Sequence, residues 1–136
     1  MTAKVLEDSA KPFGAYPHIK RAGDYLFVSG TSSRQHDESF LGATENADGT
    51  VSLDIEAQTR GVILNIQKTL RSMDAELNDL VEVGTFLLDM NDFKAYNKVY
   101  SEFFDHSGPA RTTVGVRELP HPHILIEIKA IAYKPE

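Results

Sequence analysis

The stretch Ile124-Leu125-Ile126-Glu127-Ile128-Lys129-Ala130-Ile131-Ala132-Tyr133 decides the fold. Its even positions, Ile124, Ile126, Ile128, Ala130 and Ala132, are uniformly apolar, whereas its odd positions mix Leu125, Glu127, Lys129, Ile131 and Tyr133. Alternation with a period of two is the signature of a strand, so the even face is expected to lie against helices. The odd face is apolar and charged at once, which suits burial against other subunits.

The preceding run, 111–117, divides in the same way. Thr112, Val114 and Val116 suit the helix side, and Arg111, Thr113, Gly115 and Arg117 the other. This reading places Arg111, Thr113 and Glu127 together on the helix-free face. The segment Glu118-Leu119-Pro120-His121-Pro122-His123 then joins the two strands as a hairpin, opposing Glu127 to about Val114. Arg111 would lie three residues further along, roughly 10 Å away at about 3.3 Å per residue. That is long for two groups holding one small substrate, so the two residues are expected to come from different chains.

Working outward, residues 54–74 carry Ile55, Thr59, Val62, Ile66, Leu70 and Met73 at three- and four-residue steps, predicting a helix with Asp54 as N-cap. Gly61 inside it points to close packing. Residues 80–88 are rich in β-branched and aliphatic types and predict a strand. Asn91 is expected to cap a second helix, running to about Asp105 with a stripe of Phe93, Tyr96, Tyr100 and Phe103. Ser107-Gly108-Pro109 ends it. Near the N-terminus, 16–22 and 25–30 flank the turn pair Gly23-Asp24 and predict a hairpin, followed by a polar surface loop over 33–50. The order β-β-α-β-α-β-β makes an α+β fold: one domain over 1–136, a mixed sheet and two helices on one face.

Composition narrows the function. The chain of 136 residues is 41% hydrophobic and 25% charged, ordinary for a globular domain. It has no cysteine, which excludes disulfides, thiolate metal sites and a cysteine nucleophile. A net charge of −6 disfavours phosphate backbones and anionic lipid, so neither nucleic acid nor membrane is an expected partner. Met1 to Phe13 shows no apolar core of signal-peptide length, so a cytoplasmic protein is expected. His121 and His123 lack a third ligand, so no metal is expected, and no phosphate-loop pattern occurs.

Gly14-Ala15-Tyr16, Leu26-Phe27-Val28-Ser29-Gly30, Asn91-Asp92-Phe93, Gly108-Pro109-Ala110-Arg111 and Ile126 to Ala132 resemble the RidA/YjgF family, in order and over nearly the whole chain. The resemblance implies a chorismate-mutase-like fold and a homotrimer with sites at subunit interfaces. Within the family, Ala15 to Arg34 and Ala110 to Tyr133 look like the 2-aminomuconate deaminases. That likeness implies cofactor-free hydrolysis of 2-aminomuconate, a small dicarboxylate enamine, to 4-oxalocrotonate and ammonia in bacterial aromatic degradation. One position departs. RidA-type imine deaminases usually carry cysteine where this chain has Thr113. A general deaminase of 2-aminoacrylate-like imines, or a non-enzymatic ligand-binding or translation-regulating protein, are the alternatives.

The resemblance also distributes roles. Arg111 binds the carboxylate beside the reacting carbon, since a guanidinium grips a carboxylate through two parallel hydrogen bonds. Glu127 shuttles protons and activates water. Ser29 and Gly30 line the pocket with backbone, and Tyr16 lies over the ligand; Thr113, where the family usually has cysteine, is read here from its hydroxyl as a holder of the water or the amine. For the second carboxylate the candidates are Arg34, Lys20, Arg21, His18 and His36; Arg34 is favoured among them, although a solvated loop charge is the commoner reading of such a residue.

Overall fold

A computed structural model describes residues 1–136. Its strands are β1 (Ala3–Lys4), β2 (Ile19–Ala22), β3 (Tyr25–Thr31), β4 (Ala43–Glu45), β5 (Val51–Leu53), β6 (Leu80–Leu87), β7 (Ala110–Gly115) and β8 (Ile126–Tyr133). Two helices, α1 (Ile55–Arg71) and α2 (Phe93–Phe103), complete the α+β domain. The main sheet has six strands in the order β1-β2-β3-β8-β6-β7, and β4 and β5 form a separate hairpin. No helix is long and apolar enough to cross a membrane.

The local chemistry explains the elements. Asp54 caps α1, its carboxylate accepting from the Glu56 and Ala57 backbone N–H groups. Val62, Ile63, Ile66 and Leu70 bury the inner face of α1 against Ile126, Ile128, Ala130 and Ala132 of β8, all in one core cluster with Leu26, Val83 and Tyr96. A Cβ on Gly61 would fall 2.9 Å from Ser33 Cβ and 3.1 Å from Leu41, so the 33–41 segment rests directly on the helix there. Gln58, 1% exposed, accepts from the Leu125 N–H and donates to the His123 carbonyl, fixing the entry to β8.

Four expectations need correction. The polar stretch 33–50 is not all loop, because β4 lies within it and pairs with β5 just beyond. The second helix starts later than expected: Asp89, not Asn91, caps a short 3₁₀ turn at Met90–Asp92, and α2 follows from Phe93. The last two strands are not a hairpin. β7 runs parallel to β6 at the sheet edge, while β8 lies between β3 and β6, antiparallel to both. The helix between β6 and β7 accounts for this, since a strand–helix–strand crossover brings its second strand back parallel to the first.

The fourth correction concerns faces. β8 obeys the expected alternation, but β7 has the opposite phase. Arg111 sits beside Val83, which pairs with Ala130, and Thr113 sits beside Thr85, which pairs with Ile128. Arg111 and Thr113 therefore lie on the helix face, and Val114, 41% exposed, lies outward in the row of Phe86 and Glu127. The run Arg-Thr-Thr-Val-Gly-Val carries little polarity contrast between its faces. The long Arg111 stem also covers aromatic surface as well as an apolar side chain would.

Candidate active site

Glu127 lies on the helix-free face of β8, opposite Gly30. The pairing of β3 with β8 slips between Val28 and Thr31, a bulge that brings the Gly30 backbone against the Glu127 side chain. A Cβ at position 30 would stand 2.2 Å from Glu127 Oε1, so only glycine leaves the carboxyl its place. Glu127 is half-buried and has neither a hydrogen bond nor an ion pair. Burial holds its carboxyl above the ordinary glutamate value of 4.5. Carboxyl groups are rarely left half-buried and unpaired unless something else will use them.

This carboxyl opens into a cavity of about 350 Å³, whose wall also includes Tyr16, Ser29, Gly30 and Arg34. Five of the residues singled out from the sequence thus meet around one space. Their states differ. The Ser29 hydroxyl donates to the Pro17 carbonyl at 2.7 Å, so its side chain holds the neighbouring segment. Tyr16 is 44% exposed, and its hydroxyl accepts from the Phe13 N–H. The Arg34 guanidinium stacks 3.6 Å from the Phe13 ring centre, pairs with Glu38 at 2.8 Å and donates to the Lys11 carbonyl.

Arg111 and Thr113 are elsewhere. The Arg111 guanidinium lies over three rings of α2, 4.7 Å from Tyr100, 4.9 Å from Tyr96 and 5.7 Å from Phe93. It makes no salt bridge and no hydrogen bond, so all five of its donors are available. Thr113 Oγ1 is 3.4 Å from the Tyr96 hydroxyl, which bonds Thr85 at 2.7 Å. Two strand spacings and three residues separate Arg111 from Glu127, putting their Cα atoms about 14 Å apart on opposite faces of the sheet. The expectation that they share a face within one chain is therefore wrong.

The remaining candidates divide. His18 and His36 line the cavity, and Lys20 and Arg21 do not. Arg21 is instead tied to the Lys134 carbonyl at 2.7 Å and to Glu136. His121 and His123 pack as rings around Phe40, with centroid separations of 4.7 and 6.0 Å. Burial lowers the affinity of His121 for a proton, and the neighbouring His123 and Arg34 add to this.

The sequence reading missed Asn65 and Lys68 on α1, which also reach the cavity. Asn65 donates to the carbonyls of Ser32 and Arg34 and so pins the loop that carries Arg34. Both residues sit off the apolar stripe and read as ordinary surface; only the packing of the loop onto α1 reveals them.

The Endoribonuclease L-PSP family model matches residues 6–134. A RutC family protein of Pyrococcus horikoshii is 41% identical over 128 residues, covering 94% of each chain. A protein of Dermatophagoides farinae named 2-iminobutanoate/2-iminopropanoate deaminase is 31% identical over 121 residues, covering 89% of this chain and 87% of its own. The crystal structure of E. coli TdcF with bound serine superposes with a TM-score of 0.80 at 25% identity, covering 98% of this chain and 99% of that one. On this sequence match and this shared fold, the chain belongs to the Endoribonuclease L-PSP family, the RidA/YjgF family that its segments resemble.

Proposed function

We propose that the protein is a cofactor-independent deaminase of small 2-imino acids, hydrolysing the C=N bond to a 2-oxo acid and ammonia. The observation that carries this reading is Glu127, an unpaired half-buried carboxyl whose proton affinity is raised, facing a cavity. Such a group can both take a proton from water and return it to the departing nitrogen. As carboxylate, Glu127 accepts a proton from water while the oxygen attacks the carbon of the protonated imine, C=NH2+. The carbinolamine nitrogen then receives that proton, the C–N bond breaks, ammonia leaves, and loss of the hydroxyl proton completes the 2-oxo acid. An enamine substrate first gains a proton on carbon, which the protonated Glu127 can supply.

The partner for the substrate carboxylate is Arg111 of a neighbouring copy. One chain holds these two unpaired charges on opposite faces of its sheet, too far apart for a small acid to touch both. The helix-free face exposes Tyr25, Phe27, Val114 and Tyr133 by 41–46%, an apolar surface that a second copy can cover. A cyclic trimer, as the family resemblance implies, would complete each site from two chains. The Dermatophagoides relative is named for 2-imino acid deamination, and TdcF holds serine, an amino acid of the same size.

These relatives favour the general imine reading over one restricted to 2-aminomuconate. The narrower substrate keeps one supporting observation: a cavity of about 350 Å³ has room for a six-carbon chain beyond the three carbons of the smallest imino acid. The test generates 2-iminopropanoate from L-alanine with an amino-acid oxidase and follows pyruvate and ammonia against spontaneous hydrolysis. Enzymatically made 2-aminomuconate is run in parallel. Acceleration of the first supports the general reading, acceleration of the second alone supports the narrower one, and acceleration of neither overturns both.

A further inference from the structure

The chain carries a net charge of −6, yet the cavity beside Glu127 is basic. Among its 19 lining residues the only carboxyl is Glu127 itself, against Arg34, Lys68, His18 and His36. These four come from three places: the residue just before β2, the loop after β3, and α1. They converge on one segment. Lys68 donates to the Asp8 carbonyl, His36 meets the Ser9 carbonyl at 3.2 Å, His18 meets the Ala10 carbonyl at 2.8 Å, and Arg34 donates to the Lys11 carbonyl. Four consecutive residues thus form a strap held by basic side chains. Since an extended chain covers at most about 3.6 Å per residue, these contacts fall within about 11 Å of one another.

Neutral carbonyls do not saturate these groups. Arg34 has five N–H donors and uses one on the strap and one on Glu38. His18 accepts from the Leu6 N–H at Nδ1, so Nε2 is its donor and the ring is fully committed. Lys68 Nζ and the second nitrogen of His36 have capacity left. The acidic partners of the cations are weakly held at the rim: the Glu38 and Asp8 side chains are 60% and 77% exposed. An anion inside the cavity would meet the Arg34 side chain, 10% exposed, with Lys68, 42% exposed, and His36 toward the rim.

We propose that the strap end of this cavity is a second anion site, formed by Arg34, His36 and Lys68, that selects 2-imino acids bearing an acidic side chain. The proposal rests on the deaminase reading for its substrate class, but the site can be tested by binding alone. Glu127 addresses the imine carbon, and the side-chain carboxylate, a few bonds further on, reaches the cations. Asn65 holds the Arg34 backbone in place, so the site is preorganised.

The experiment has two arms. Calorimetry compares binding of 2-oxoglutarate and pyruvate to wild type and to Lys68→Gln, Lys68→Arg and His36→Gln. Kinetics compare kcat/KM for the imines generated from L-glutamate and L-alanine. The expected result is at least tenfold tighter binding of 2-oxoglutarate than of pyruvate. That preference should fall about tenfold in Lys68→Gln, fall in His36→Gln, and return in Lys68→Arg, a size typical of one charged hydrogen bond. Equal binding of the two oxo acids, or a preference untouched by Lys68→Gln, overturns the second site. Preferential binding of 2-oxoglutarate with no turnover of either imine sustains the site and sinks the deaminase reading. Turnover of the alanine imine without any dicarboxylate preference does the reverse.

Discussion

Replacing Gly30 with alanine should separate activity from stability. The new Cβ would lie 2.2 Å from Glu127 Oε1, 3.0 Å from its Cδ and 3.4 Å from its Cγ. The stem of Glu127 is already at a tolerable distance, so only the carboxyl must move. Reaching an ordinary contact of about 3.5 Å displaces the oxygen by more than about 1 Å. No hydrogen bond or ion pair is broken, because the carboxyl has none. Gly30 does not have a positive φ, so alanine adopts its backbone without that strain. Losing glycine's freedom in the unfolded chain stabilises by about 0.4–1 kcal/mol, and an off-rotamer Glu127 costs about 0.5–1.5 kcal/mol. The two nearly cancel, and the melting temperature should stay within a few degrees of wild type. Activity should not survive, since a misplacement of about 1 Å can cost about 100-fold. Thermal unfolding and kcat/KM on the alanine-derived imine check both halves. A folded Gly30→Ala protein within a few-fold of wild-type activity would refute the placement of Glu127 at the reacting atoms.

Glu127→Gln should lose about 10²–10⁴-fold in turnover, the usual contribution of a general acid–base group, as measured in the same assay. Because burial raises the folded-state pKa of Glu127, the folded chain holds this proton more tightly than the unfolded one. Its contribution to stability therefore declines as pH rises from 4.5 through the raised folded value, and Glu127→Gln should lack that decline in melting curves taken across the window. Arg111→Ala and Glu127→Gln proteins, unfolded together and refolded, should regain about a quarter of wild-type sites if each site draws on two chains of a cyclic assembly. Activity no higher than that of either variant alone would assign both residues to one chain. Tyr96→Phe should destabilise by about 1–3 kcal/mol in denaturant titration, because it removes the 2.7 Å partner of Thr85, which is 1% exposed. No measurable loss would show that Thr85 finds another partner.

The legible parts of this protein are those whose signal is periodic and local. The α1 stripe with its Asp54 cap, the Gly23-Asp24 turn and the inner face of β8 could all be read from residue spacing, because neighbours within the element impose the pattern. The start of α2 was misplaced by one residue because three polar side chains, Asp89, Asn91 and Asp92, lie at its approach, and Asp89 takes the backbone N–H of Asn91. The β4–β5 hairpin was hidden because its strands are three residues each, shorter than any alternation can register.

The sequence by itself supplied part of the candidate site. Glu127, Tyr16, Ser29 and Gly30 were singled out by the family resemblance of their segments, and Arg34 as a second cation, and all five line one cavity. Tertiary structure alone decided which residues meet. The β6–α2–β7 crossover sends β7 to the sheet edge and turns Arg111 and Thr113 toward α2, because a strand's phase is set by the neighbour it pairs with. The basic strap contacts were equally invisible, since His18, Arg34, His36 and Lys68 are scattered over 51 positions and share no period. Short-range sterics and burial write themselves into neighbouring residues. Pairing across the sheet, and side chains converging on a backbone segment far away in sequence, leave no such local record.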